Sequence, residues 1–190
     1  MKRLGQWIQI LGFTLILASL ALLAGSRFHE AKAQEDCADV SARMEKILAV
    51  RTPGAESGAG AMPVLELSGR DYVCMMEVPG FGVSLPVCDD WSDRSEVGNP
   101  CRYWGSCYDG SLIIGGGRMA QLEFCAQLDL GDRIVVTDMR GQEFTYFVTG
   151  ISRTESLTFD RLREGEHPLS IFTRDGYSNR YILVRCGYSQ

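Results

Sequence analysis

From Met62 onward the chain sustains no long helical repeat; its apolar residues come in short runs rich in Val, Ile, Tyr and Phe, each stopped by Gly, Pro, Asn or Asp. The runs are Asp71–Val78, Val83–Val87, Tyr103-Trp104, Leu112–Ile114, Arg133–Met139, Glu143–Val148, Leu169–Thr173 and Tyr181–Val184. Pro79-Gly80 turns the first into the second, and Arg140-Gly141-Gln142 is a hairpin signature between Met139 and Glu143. Strands this short bury little surface alone, so they must pair. About eight of them predict a closed or nearly closed β-barrel with one or two short helices. The helical candidates are Met119–Leu128, which is amphipathic, and Phe159–Arg163, while residues 89–100 read as a polar loop.

The first 25 residues differ from everything after them. Lys2 and Arg3 precede a nearly uncharged run from Trp7 to Ala24, 18 residues long, close to the ~20 that a helix needs to cross a bilayer. Positive charge on the short end predicts that this end stays in the cytoplasm and the remainder is exported. The run therefore predicts a transmembrane signal-anchor over residues 1–25. A second reading is a secreted protein cleaved near Ala33, because Ala31-Lys32-Ala33 has the small-x-small form of a leader-peptidase site. Val40, Met44, Ile47 and Leu48 then fall at helical spacing within Asp36–Val50. Thr52-Pro53-Gly54 stops that helix, and Gly54–Gly60 reads as a flexible linker. The expected organisation is an anchor at 1–25, a juxtamembrane helix and linker at 26–61, and a barrel domain at 62–190.

Charge and motif content exclude several functions. A net charge of -5 and the lack of a basic stripe argue against a nucleic-acid partner. Gly115-Gly116-Gly117 has neither the Lys-Ser/Thr of a phosphate loop nor dinucleotide spacing, so no cofactor is expected and a strand end is the simpler reading. Seven cysteines, at 37, 74, 88, 101, 107, 125 and 186, are an odd number without C-x-x-C spacing. With only His29 and His167 to join them, a zinc site is not expected. Disulfides are permitted outside the cytoplasm, but cysteines within apolar runs such as Val73-Cys74-Met75 also suit buried free thiols.

The order of motifs across the domain resembles sortases, in particular class B-like members from clostridial Gram-positive bacteria. The stretches that carry the likeness begin with Met62-Pro-Val-Leu-Glu-Leu67 and Met76-Glu-Val-Pro-Gly-Phe-Gly-Val-Ser-Leu-Pro-Val87. Pro100-Cys-Arg-Tyr-Trp-Gly105, Leu112-Ile-Ile-Gly-Gly116 and Leu130-Gly-Asp-Arg-Ile-Val135 follow. Leu169-Ser-Ile-Phe-Thr173 and Arg180-Tyr-Ile-Leu-Val-Arg185 complete the series. The resemblance implies a transpeptidase that cleaves a Leu-Pro-x-Thr-Gly-type sorting signal. A cysteine forms a thioester with the substrate, a histidine moves protons, and an arginine stabilises the oxyanion or positions the peptide. It also implies a cell-surface location, with a sorting-signal peptide or a surface or pilin protein as partner.

Laid onto this chain, the motifs put Arg174 after Leu169–Thr173 where the cysteine belongs and Gly117 after Leu112–Gly116 where the histidine belongs. Arg180 is the best match for the arginine that opens the last strand, with Arg185 as the alternative. A guanidinium is always protonated and offers no lone pair for acyl transfer, and glycine carries no group that moves a proton. The expectation is a catalytically inactive sortase-like protein that keeps a peptide- or anion-binding groove around Thr173, Arg174 and Arg180. One alternative is an active cysteine transpeptidase using a relocated thiol, with Cys107, Cys125 and Cys186 as candidates; another is a non-catalytic envelope scaffold. His167 precedes Arg174 by a whole strand, which puts it on the order of 20 Å from the site.

Overall fold

The computed structural model describes residues 2–50, 61–89, 91, 99–117, 120–176 and 178–189. The expected linker at 54–60 and most of the polar loop at 89–100 lie outside the described residues. Among the described residues, nine strands form one sheet: β1 (Leu65–Leu67), β2 (Arg70–Val78), β3 (Val83–Cys88), β4 (Cys101–Trp104) and β5 (Leu112–Gly115) come first. β6 (Arg133–Asp138), β7 (Glu143–Thr154), β8 (Leu169–Arg174) and β9 (Tyr181–Gly187) complete it. Their spatial order is β1-β2-β3-β4-β5-β8-β9-β7-β6, and a further pairing of β2 with β6 closes the sheet. Strands β2 to β9 thus make the ring of an eight-stranded barrel, with β1 added as a short hairpin arm on β2. The expected architecture is met.

Closure buries inward-facing side chains from every side. Val73, Met76, Val87, Leu112, Ile114, Ile134, Val136, Ile171 and Val184 belong to one interior cluster and are each fully or almost fully buried. β2 is buried on its other face as well, because Tyr72 and Met75 pack outward against Met44 of α1 (Lys2–Val50). That double burial is why Tyr72–Met76 reads as an unbroken apolar run instead of an alternating one. Ser41 Oγ donates to the Ser84 carbonyl at 3.1 Å, and Ser84 Oγ donates to Glu45 Oε1 at 3.0 Å, fixing α1 on β3.

Two elements differ from expectation in form. The expected helix at Met119–Leu128 is a 3₁₀ helix over Ala120–Ala126. Leu122, Phe124 and Cys125 of this helix, and Leu128 after it, are buried. β7 continues six residues past Val148, because a register shift between Val148 and Gly150 lets the strand leave β6 and run along β9. The short helix α2 (Phe159–Arg163) lies where the sequence puts it, and the Thr158 hydroxyl accepts from the Arg161 N–H to cap it.

At its N-terminal end α1 is one continuous helix through the expected boundary at residue 25. Phe13, Leu15, Ile16, Leu17 and Leu20 are exposed along it. Among the described residues no helix is long and apolar enough to cross a membrane; the run from Trp7 to Ala24 extends at both ends past the side chains that are described.

Candidate functional site

β5 and β8 are the parallel pair that sets the site. Their register matches Leu112 with Leu169, Ile113 with Ser170, Ile114 with Ile171 and Gly115 with Phe172. Because the strands run the same way, both C-terminal ends emerge at one edge of the barrel. Gly117 and Arg174 therefore become neighbours although they come from distant segments. The ladder continues past the strand ends: Gly116 N–H donates to the Phe172 carbonyl at 3.1 Å, and Arg174 N–H to the Gly117 carbonyl at 3.4 Å. The Thr173 hydroxyl also donates to the Gly117 carbonyl, at 2.9 Å. Thr173 is buried, so its hydroxyl serves this join.

Strand alternation decides which side chains face outward here. Ile171 of β8 and Ile114 of β5 enter the barrel interior, while Phe172 and Ile113 pack together on the outside. Phe172 lies directly on Gly115: a Cβ at residue 115 would sit 2.2 Å from the ring's Cζ. Gly117 is the opposite case, since a Cβ there would meet nothing within 4 Å among the described residues. One glycine is demanded by packing and the other opens onto free space.

Beside Gly117 is a cavity of about 340 Å³. Trp91, Tyr103, Phe172 and Tyr181 supply aromatic walls, Leu157 and Leu162 aliphatic ones, and Gly116 and Gly117 contribute backbone. The aromatic groups hold one another. Trp91 meets Tyr103 edge-on at 4.9 Å between centroids, Tyr103 meets Phe172 edge-on at 5.4 Å, and Trp91 is tilted against Phe172 at 5.4 Å. Such a lining suits apolar side chains and aromatic or aliphatic segments of a peptide.

The two arginines have different surroundings. The Arg174 guanidinium lies over the Tyr181 ring, 5.2 Å from its centroid. Its Nε is buried without a hydrogen-bond partner, and among the described residues no carboxylate stands within ion-pair distance of the group. The Asp175 carboxylate accepts from Ser178 Oγ at 2.8 Å. Arg180 contributes backbone, its carbonyl accepting from the Asp175 N–H at 2.9 Å. Its side chain is exposed and points to Glu155 Oε1 at 3.6 Å. Gly117, Thr173 and Arg174 are thus brought together, with Arg180 near them in the backbone but turned to another partner.

Sequence reasoning missed Trp91, Leu157 and Leu162. Trp91 sits in a stretch whose Asp, Ser, Gly and Asn content reads as solvated loop, and only an isolated tryptophan within it hints at burial.

The cysteines stand apart from the cavity. All seven are free thiols and all are buried. Burial pushes the Cys37 thiol up to about 11 and those of Cys107 and Cys186 up to about 12, and it raises Cys74 and Cys125 as well. His167 lies at the other ends of β5 and β8, lining a second cavity of about 570 Å³ with Asp109, Ser111 and Tyr188. Burial, and then the nearby Arg185 charge, lower its pKa. The side chain of His29 lies outside the described residues. Among the described residues no three His, Cys, Asp or Glu side chains are grouped to hold a metal ion.

No protein-family model matches the sequence. No curated protein matches it either. Solved structures do. Sortase C-3 from Streptococcus pneumoniae superposes with a TM-score of 0.54 at 17% identity, over 83% of this chain and 83% of that one. A sortase D5 transpeptidase from Clostridium perfringens gives 0.52 at 16% identity, over 83% of this chain and 96% of that one. Sortase A from Corynebacterium diphtheriae gives 0.51 at 14% identity, over 83% and 90%. The barrel has a sortase-like fold; neighbours bearing the designations A, C and D do not assign a class.

Proposed function

We propose, taking the sortase-like fold as premise, that this chain is a membrane-tethered surface protein of class B-like type that binds peptide in a sortase-type groove without catalysing transpeptidation. The observation that carries the reading is the pairing of β5 with β8, which sets Gly117 beside Arg174 at one barrel edge. These are the positions where the resemblance expects histidine and cysteine. Acyl transfer through a thioester needs a thiolate that attacks a carbonyl and a group that shuttles the proton. An arginine beside a glycine supplies neither.

A relocated thiol is disfavoured on the same page. A nucleophilic cysteine needs exposure and a lowered pKa, whereas every cysteine here is buried and those with a resolved shift are raised. What supports peptide binding is the aromatic and aliphatic cavity alongside Gly117, shaped to take apolar side chains. A Leu-Pro-x-Thr-Gly-type segment of a surface or pilin protein is the occupant that the fold suggests. Tethering through the N-terminal helix is supported by its apolar run behind Lys2 and Arg3 and by the exposure of Phe13, Leu15, Ile16, Leu17 and Leu20. An unanchored helix of that composition would have no reason to show this face to water.

The test is calorimetric titration of Leu-Pro-x-Thr-Gly peptides into the full chain in detergent, for wild type and for the Gly117→His, Arg174→Cys double variant. Saturable binding to wild type without cleavage is expected. No binding to wild type, with binding gained by the double variant, overturns the retained groove. Cleavage by wild type overturns the loss of chemistry.

A further inference from the structure

We infer that the preferred ligand of this groove is a peptide that ends in a free carboxylate, held by the Arg174 guanidinium, so that the site receives cleaved chains and disfavours intact ones. The inference rests on the peptide-groove reading and specifies its ligand.

Four observations converge on it. First, Arg174 has no anionic partner among the described residues, while Arg180, a cation near it in the chain, already lies 3.6 Å from Glu155. Second, Nε of Arg174 is buried and makes no hydrogen bond. A buried donor on a charged group is costly to leave unmade, so the fold itself leaves this guanidinium under-paired. Third, the guanidinium is stacked on Tyr181, a wall of the cavity, so its plane is held in place before any ligand arrives. Fourth, among the described residues a Cβ at Gly117 meets nothing within 4 Å. Room for a chain end thus adjoins the cation.

Among the described residues the cavity offers aromatic and aliphatic walls and no carboxylate or cationic side chain. A complementary ligand therefore carries apolar residues followed by one negative group at the Arg174 end. Carboxylate is the group whose two oxygens match the planar donor fork of arginine. A chain terminus is the one place where a peptide of apolar residues bears it. An intact chain running past Arg174 would set a neutral amide against the guanidinium and leave its charge without a counterpart.

The experiment compares two synthetic peptides, acetyl-Leu-Pro-Ala-Thr as the free acid and as the C-terminal amide, by calorimetry on the full chain at neutral pH. The free acid is expected to bind at least about tenfold more tightly, the advantage of a charge-assisted pair over a neutral one. Arg174→Gln is expected to erase the difference between acid and amide. Equal affinities in wild type, or an acid preference that survives in Arg174→Gln, overturn the inference and leave the groove reading intact. If neither peptide saturates the wild-type chain, the groove reading falls and the inference with it. The acid–amide comparison uses the unaltered protein, so it stands even if the variant fails to fold.

Discussion

Two glycines on the same strand end give a sharp test of how the groove is built. Gly115 and Gly117 are two residues apart, yet they meet different surroundings. A methyl group at 115 would lie 2.2, 2.4 and 2.7 Å from three atoms of the Phe172 ring. The ring must retreat by roughly 1 Å or more to restore ordinary contact. Any retreat disturbs its contacts with Trp91 and Tyr103, which share the cavity wall with it. Overpacking of this kind costs about 1–3 kcal/mol. At 117 the same methyl meets nothing, and the backbone there is not in the left-handed region. Restricting the unfolded chain then makes Gly117→Ala neutral to stabilising, by up to about 1 kcal/mol. The two variants should differ by about 1–4 kcal/mol, or several degrees in Tm at about 3–5 °C per kcal/mol for a domain of this size. Urea denaturation of the two full-length variants, followed by circular dichroism, measures the gap. A Gly115→Ala variant within about 0.5 kcal/mol of wild type, or a Gly117→Ala variant that loses more than about 1 kcal/mol, would refute the packing argument.

Other consequences are independent of that gap. Because Gly117 opens onto free space, Gly117→His with Arg174→Cys should fold, and alkylation of the native protein with iodoacetamide should label residue 174 and none of the seven natural thiols; mass spectrometry after tryptic digestion reads this. With Cys186 raised by burial from 9.0 to about 12, its neutral form is favoured in the fold. Its contribution to stability is then full below pH 9 and is lost as pH rises toward 12, at up to about 1.4 kcal/mol per pH unit; Cys186→Ala should flatten the alkaline limb of a Tm-against-pH curve. Asp138 is fully buried, its Oδ1 accepts the N–H groups of Arg140 and Gln142 at 2.8 Å each, and Oδ2 accepts from the Tyr108 hydroxyl. Asp138→Ala strands three donors at the β6–β7 turn and should destabilise by about 3 kcal/mol or more, with Asp138→Asn milder because an amide oxygen still accepts the two N–H groups.

The barrel was legible because each strand repeats the same physical demand, one face inward, in runs too short to serve as anything else. Leu112–Gly115 and Leu169–Arg174 fell where their apolar runs put them, and Gly117 and Arg174, which the motif order singles out, follow or end two strands that pair. The walls of that site were less legible. Trp91 and Leu157 lie outside the strands, and their burial depends on Phe172 and Tyr103 arriving from other strands. Periodicity describes a segment against its own axis and says nothing of a neighbour that comes from elsewhere in the chain. The direction of the arginines was hidden for the same reason: Glu155, which takes Arg180, directly follows a strand whose length depends on the shift at Gly150.

The parallel pairing of β5 and β8 also bears on how the protein comes into being. The hairpins β2–β3, β6–β7 and β8–β9 join near neighbours in sequence, whereas the Thr173 contact with Gly117 closes a span of 56 positions. Contacts of such separation carry the larger loop-closure entropy and form only with the global fold. The binding edge is therefore among the last features to assemble on folding, and an unfolded or half-folded chain has none of it. A ligand for it binds the native state alone and should raise the melting temperature of the whole domain, by about 2.7 kcal/mol of added stability at a hundredfold excess over Kd. A thermal-shift screen of peptide libraries would then report occupancy of this groove without any enzymatic readout.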